Sequence, residues 1–322
     1  MKRRNFIALT GGAVAWPFVA RAQQPEAPLV GFLHVASAKG LLHIIEAVRQ
    51  GAKEANPSGA TITIESRWAE GRNDRLPALA AELIERRVSA IVTGGLAASL
   101  AAKAATATIP IVFINGGDPV TDGLVSSLSR PGGNVTGMCF MALGPKRLEL
   151  MRELVPQAAL IALFVNPDNP TLGPELQEME TAANAMGQKL LVLEAGTPQA
   201  IDAAFVTLVQ RRAGALLITV DANFNARRDQ LVALAAKHAV PAMYYAREFA
   251  ASGGLVSYGP NITEIYRQVG GYVARILAGA NPAELPVLQP TKFDLVINTK
   301  AAKALGLTIP RLLLARANQV IE

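Results

Sequence analysis

The sequence predicts an α/β protein of two doubly wound parallel-sheet lobes joined by a multi-strand hinge. Three observations carry that reading. Short apolar runs alternate with longer stretches of helical spacing from Pro28 onward, the mark of a parallel sheet covered by helices. That texture breaks at the turn-rich Arg130-Pro-Gly-Gly-Asn-Val-Thr-Gly137 and then starts again. The tail after Ile262 is too short for a third domain and has the right size to cross back and complete both sheets.

In the first module, residues 29–35 read as a strand and 41–55 as a helix. Residues 61–68 alternate Ile62 and Ile64 with polar residues, which is strand periodicity. Asp74 is placed to cap a helix running to Arg87. Strands follow at 88–93 and 109–114, with a helix at 96–106 between them. In the second module, helices are expected at 144–154, 174–187, 201–212 and 227–238. Strands are expected at 160–165, 190–193, 215–220, 241–245 and 254–258. The tail reads as a helix at 262–278, a stretch punctuated by Pro282, Pro286 and Pro290, a strand at 293–298 and a short helix at 300–305. The expected lobes are residues 23–137 with about 261–288, and 138–260 with about 289–322. Repeated crossings between two α/β lobes make a hinge, and a hinged cleft is a ligand trap.

The first 22 residues form a separate unit. Lys2, Arg3 and Arg4 precede an apolar stretch from Ala8 to Val19, and Ala20-Arg21-Ala22 gives a small-x-small exit. This is the layout of a secretory signal cleaved after Ala22, and the paired arginines followed by Phe6 and Ile7 fit the twin-arginine type. Gly11, Gly12 and Pro17 interrupt the stretch, which is shorter than the ~20 residues that span a bilayer. The expected destination is the periplasm. Without Lys2, Arg3, Arg4 and Arg21 the net charge falls from +6 to +2, so no nucleic-acid surface is implied. The one cysteine, Cys139, can form no internal disulfide, and its neighbours Met138 and Phe140 suggest a buried position.

In open parallel sheets, ligands sit beyond the carboxyl ends of the strands. The residues there are Ser37 after the first strand, Thr93-Gly94-Gly95-Leu96 leading into a helix, and Asn115, Gly116 and Asp118 after the fourth. In the second module they are Asn166, Asp221 and Asn225, and Tyr245. Glycine amides at a helix start suit a carboxylate, and an Asp suits an ammonium. Taken singly, each is also an ordinary turn or cap residue. No phosphate loop, zinc-binding His-Glu-x-x-His or Gly-x-Ser-x-Gly elbow occurs, so neither a metal nor a cofactor is expected. Of the three histidines, His238 is expected to cap a helix end, and His34 and His43 flank the first strand end.

Longer stretches carry a family likeness. They are Arg67-Trp-Ala-Glu-Gly71, Arg75-Leu-Pro-Ala-Leu-Ala80, Ile109-Pro-Ile-Val-Phe113 with Gly116-Gly-Asp-Pro119, and the turn at 130–137. Leu143-Gly-Pro-Lys-Arg-Leu-Glu-Leu150, Arg227-Arg-Asp-Gln-Leu-Val232, Gln289-Pro-Thr-Lys-Phe293 and Ala304-Leu-Gly-Leu307 extend it over nearly the whole chain. Together they resemble the ABC-transporter substrate-binding family that includes tryptophan- and tyrosine-type binding proteins. The resemblance implies the type I periplasmic binding fold, a small-molecule ligand such as an amino acid or related small carboxylate between the lobes, an ABC permease and its ATPase as partners, and no catalysis. It places the Gly94–Gly95 loop, the Asn115–Asp118 loop, Asn166 and the Asp221–Asn225 loop among ligand loops. Two stretches depart from the family text, Ser37-Ala-Lys-Gly-Leu-Leu42 and Ala222-Asn223-Phe224, so the resemblance does not by itself carry over the relatives' ligand. A monomer is the expected state. A sensory receptor with the same cleft, and more remotely a periplasmic enzyme on the same scaffold, are the other readings.

Overall fold

The computed structural model describes residues 27–56, 61–140 and 143–322. The expected export signal lies outside them. The first lobe is built on β1 (Leu29–His34), α1 (Leu42–Ala55), β2 (Thr63–Trp68), α2 (Leu76–Glu85), β3 (Ala90–Gly94), α3 (Leu96–Ala105), β4 (Ile111–Asn115) and β5 (Val135–Cys139). Its five strands are parallel in the order β2-β1-β3-β4-β5. β3 and β4 are buried along their whole length, and β1 is buried past its first residue, so all three are apolar on both faces. The edge strand β2 is half exposed, which explains its alternation.

The second lobe follows with α4 (Gly144–Leu154), β6 (Leu160–Val165), α5 (Leu172–Ala185), β7 (Lys189–Glu194), α6 (Pro198–Gln210) and β8 (Ala215–Ile218). It continues with α7 (Ala222–Ala226), α8 (Arg228–Lys237), β9 (Ala242–Tyr244), α9 (Arg247–Ala251) and β10 (Val256–Gly259). The chain then crosses back as α10 (Ile262–Leu277), and returns as β11 (Asp294–Asn298), α11 (Thr299–Ala304), α12 (Arg311–Arg316) and β12 (Gln319–Ile321). The second sheet runs β12-β11-β10-β9-β8-β6-β7.

One strand departs from the parallel expectation. β11 runs antiparallel to β10, with Gly259 opposite Asp294. β10 leaves its sheet toward the first lobe, and the returning chain comes in at that same end, so its direction is reversed.

α10 belongs to the first lobe by packing. Ile262, Ile265, Tyr266, Val269, Val273 and Ile276 recur at helical spacing on its buried face, which rests on α1 and on β3, β4 and β5. Two glycines allow the close approach to α1. A Cβ at Gly51 would overlap the Arg267 carbonyl, and one at Gly270 would overlap the Val48 carbonyl.

The connection after α10 is tied to the first lobe. Leu288 donates its N–H to Gly137 and accepts from Cys139, each at 3.0 Å, and Thr136 Oγ1 donates to the Leu285 carbonyl at 2.7 Å. Three chain segments thus cross between the lobes: after β5, after β10 and before β11.

Several local expectations need correction. The stretch after Pro131 is not only a turn, because Val135–Cys139 pairs with β4 as the last strand of the first sheet. Asp74 pairs with Arg72 at 2.7 Å, and α2 begins at Leu76 after a single 3-10 turn. His238 caps the end of α8 as expected, its backbone N–H donating to the Leu234 carbonyl at 3.0 Å, and its ring stacks on Phe205 at 5.9 Å. Cys139 is buried, as its apolar neighbours suggest. Among the described residues, no helix is long and apolar enough to cross a membrane.

Candidate functional site

The strand ends of both lobes face one cavity. One side is apolar. Leu41 just before α1, Ile44 of α1, Ile262 and Tyr266 of α10, Leu96, Ile114 and Phe140 line it. His34 sits among them within an aromatic group, stacked on Phe32 at 5.8 Å and tilted on Trp68 at 5.2 Å. Burial drives its imidazole down to about 3, so it is neutral at physiological pH. The Ala36 N–H donates to His34 Nδ1 at 3.1 Å, which leaves the proton on Nε2.

The other side is polar and comes from the second lobe. Asp221 caps α7, accepting from the Asn223 N–H at 2.7 Å and the Phe224 N–H at 3.3 Å. Its other oxygen accepts from Asn166 Nδ2 at 3.1 Å. The Tyr245 hydroxyl donates to the Asp221 carbonyl at 2.5 Å. Burial pushes the Asp221 carboxyl up to about 6; the three donors and the nearby Asp168 charge adjust that value in opposite directions. Asn169 donates to the Val220 carbonyl at 2.9 Å and fastens the loop after β6 to the loop after β8.

Behind this wall lies a buried ion pair. Arg147 donates to Glu175 at 3.0 Å, and both side chains are 3% exposed. Glu175 also accepts the Val220 N–H. Burial pulls the guanidinium down and pushes the carboxyl up, while each charge holds the other in its ionised form. The pair thereby fixes the backbone next to Asp221.

Gly95 starts α3 at φ +93°, a conformation that favours glycine, and Leu96 and Ala97 at that helix start line the cavity. Hydrogen bonds between described residues join the lobes around the cavity. Asn73 Nδ2 donates to the Asp168 carbonyl at 2.9 Å, and Arg228 Nη1 donates to the Gly40 carbonyl at 3.0 Å.

Of the residues singled out in the sequence, Gly95, Leu96, Asn115, Gly116, Asn166, Asp221, Asn225 and Tyr245 come together here. Four do not. Thr93 is buried, with its hydroxyl 2.8 Å from that of Ser99. Gly94 lies under His34 and Tyr266, whose atoms a Cβ would strike. Asp118 folds onto its own loop, accepting from the Val120 N–H and the Thr121 hydroxyl. Ser37 lies on the loop after β1, off the lining. Phe140, Ile262, Tyr266, Asn73, Asp168, Asn169, Thr171 and Asn223 join the lining without having been singled out. The strand-end rule reaches Asp168, Asn169 and Asn223; Tyr266 and Ile262 come from a helix of the tail and carry no local signal.

The sequence from residue 30 to residue 321 matches the family model described as ABC transporter substrate binding protein. A tyrosine-binding protein of Clostridioides difficile is 24% identical over 249 residues, 77% of this chain and 72% of that protein. Among solved structures, an ABC domain in complex with L-Trp from Streptococcus pneumoniae overlays with a TM-score of 0.82 at 24% identity, covering 92% of this chain and all of that one. The ligand-free, open structure of a substrate binding protein with adhesive properties from Clostridium difficile gives 0.63 at 22% identity, covering 92% of this chain and 99% of that one. The chain belongs to the ABC transporter substrate binding protein family.

Proposed function

We propose that this protein is an exported receptor that captures an amino acid with an apolar, aromatic-sized side chain between its lobes and delivers it to an ABC permease and its ATPase. The observation that carries the reading is the division of the cavity wall. Leu41, Ile44, Phe140 and Tyr266 offer an apolar shelf, Asp221 and its neighbours offer acceptors, and the start of α3 offers backbone N–H groups. A zwitterion with a hydrocarbon side chain meets all three. That relatives of this chain are a tyrosine-binding protein and a structure holding L-Trp supports an aromatic amino acid.

The mechanism is closure. Ligand contacts from both lobes favour the state in which Asn73 reaches Asp168 and Arg228 reaches Gly40. The moving bodies are residues 23–137 with 261–288, and 138–260 with 289–322. The receptor is cleaved near Ala22, acts in the periplasm as a monomer and performs no chemistry on its cargo. His34, the one histidine on the lining, spends Nδ1 on the backbone and is paired with no nucleophile.

The test is thermal melting of residues 23–322 against amino acids, sugars and small carboxylates, with recovery of the added compound. A raised midpoint with one amino-acid class, and that compound recovered unchanged, is the expected result. Conversion of the compound, or a flat response to the whole set, overturns the reading.

A further inference from the structure

We infer that the indispensable group of the ligand is a protonated amine, so that the cavity takes apolar primary amines with or without a carboxylate and rejects carboxylates that lack the amine. This rests on the receptor reading above and narrows it.

The first argument is an acceptor with a fixed direction. Asn115, 1% exposed at the end of β4, donates from Nδ2 to the Asp122 carboxylate at 2.6 Å. A carboxylate only accepts, so this bond settles which end of the carboxamide is the oxygen. Oδ1 therefore faces away from Asp122, and it is buried with no hydrogen-bond partner. From the other lobe Asn225, 6% exposed, also holds a buried Oδ1 without a partner. Both residues line the cavity. Buried acceptors in native proteins are satisfied in nearly every case, and only a donor satisfies them.

The second argument is charge. The lining carries the carboxylates Asp168 and Asp221 and neither lysine nor arginine. Three of the side-chain amides nearby are already committed: Asn166 to Asp221, Asn169 to Val220 and Asn73 to Asp168. A carboxylate entering alone adds acceptors and negative charge to a wall that has both in excess, and only neutral donors such as the His34 Nε2–H and the start of α3 answer it. An ammonium brings three N–H donors and the opposite charge. Its hydrocarbon part then lies on Leu41, Ile44 and Tyr266.

The experiment uses matched triplets on residues 23–322, followed by melting and calorimetry. One triplet is L-phenylalanine, 2-phenylethylamine and 3-phenylpropanoate; indole and branched aliphatic sets repeat the design. The expected result in the binding set is an amine within about tenfold of the amino acid, and a desamino acid weaker by at least about a hundredfold. Asn225→Leu should weaken the amine and the amino acid by a common factor while leaving ligand-free melting within a few degrees. Should that variant fail to fold, the triplet ratio decides alone. A desamino acid that binds as tightly as its amine overturns the inference. Silence of all triplets with a response to a sugar or a simple carboxylate overturns it too, and leaves the receptor standing. Silence toward every compound removes both.

Discussion

Asn73 Nδ2 and the carbonyl oxygen of Asp168 meet at 2.9 Å across the mouth of the cavity, although 95 residues separate them. One partner belongs to the loop after β2 and the other to the loop after β6, so the bond exists only while the lobes are together. With Arg228 and Gly40 it makes a pair of fasteners on the closed state. Asn73→Ala should raise the ligand Kd by up to about tenfold, the worth of one net hydrogen bond. Titration calorimetry reads this directly. An unchanged Kd would mean that the bond contributes nothing to closure.

Asp221 gives the protein a pH signature. Its folded value near 6 stands above its ordinary 3.8, so the folded state holds this proton more tightly. The stabilising contribution is therefore full below about 3.8 and is lost as pH rises through 6. Asp221→Asn removes that slope. From pH 4 to pH 7 the stability of the variant relative to the original should improve by up to about 3 kcal/mol, measured by urea unfolding. His34 slopes the other way but is present in both proteins and cancels. Amine binding should follow the opposite course, strengthening as Asp221 ionises. A stability gap independent of pH would place the Asp221 carboxyl near its ordinary value.

The Arg147–Glu175 pair should behave as a buried charge pair. Arg147→Met strands the Glu175 carboxylate and should cost about 3–5 kcal/mol. Adding Glu175→Leu should recover much of that loss in denaturant unfolding. It should not recover ligand affinity, because the Val220 N–H then loses its acceptor and the loop carrying Asp221 loosens. Equal recovery of stability and affinity would reduce the pair to a packing element.

The α1–α10 contact separates two neighbouring glycines. Gly270→Val places its side chain on the Val48 carbonyl and should prevent stable folding. Gly271→Ala, whose Cβ would find Ala55 Cβ at 3.7 Å, should instead stabilise by about 0.5–1 kcal/mol through helix propensity. Melting midpoints of the two variants decide it.

The parts of this architecture that the sequence announces are those with strong periodicity. The buried strands β1, β3, β4 and β6 read as apolar runs, and the long helices between them show their spacing. β5 was hidden because Pro131, Gly132 and Gly133 stand just before it and Gly137 sits inside it, which reads as turn. The five-residue helices α7 and α9 and the three-residue strand β12 are too short for any period to register. At the site, strand-end logic reached the loops but could not say which way a loop folds. Asp118 and Asp221 both follow strands, yet one caps its own turn and the other closes the cavity wall. Tyr266 was out of reach because its place depends on a helix that returns from the far end of the chain.

That return has a consequence for the order of assembly. Residues 262–277 complete the helical cover of the first lobe, yet the chain makes them only after residues 144–259 of the second lobe. A nascent first lobe therefore waits with the buried face of α1 (Ile44, Ile45 and Val48) open to water. Neither half can mature on its own schedule, and the ligand-free protein should lose its structure in one step, as a single clasp and not two shells.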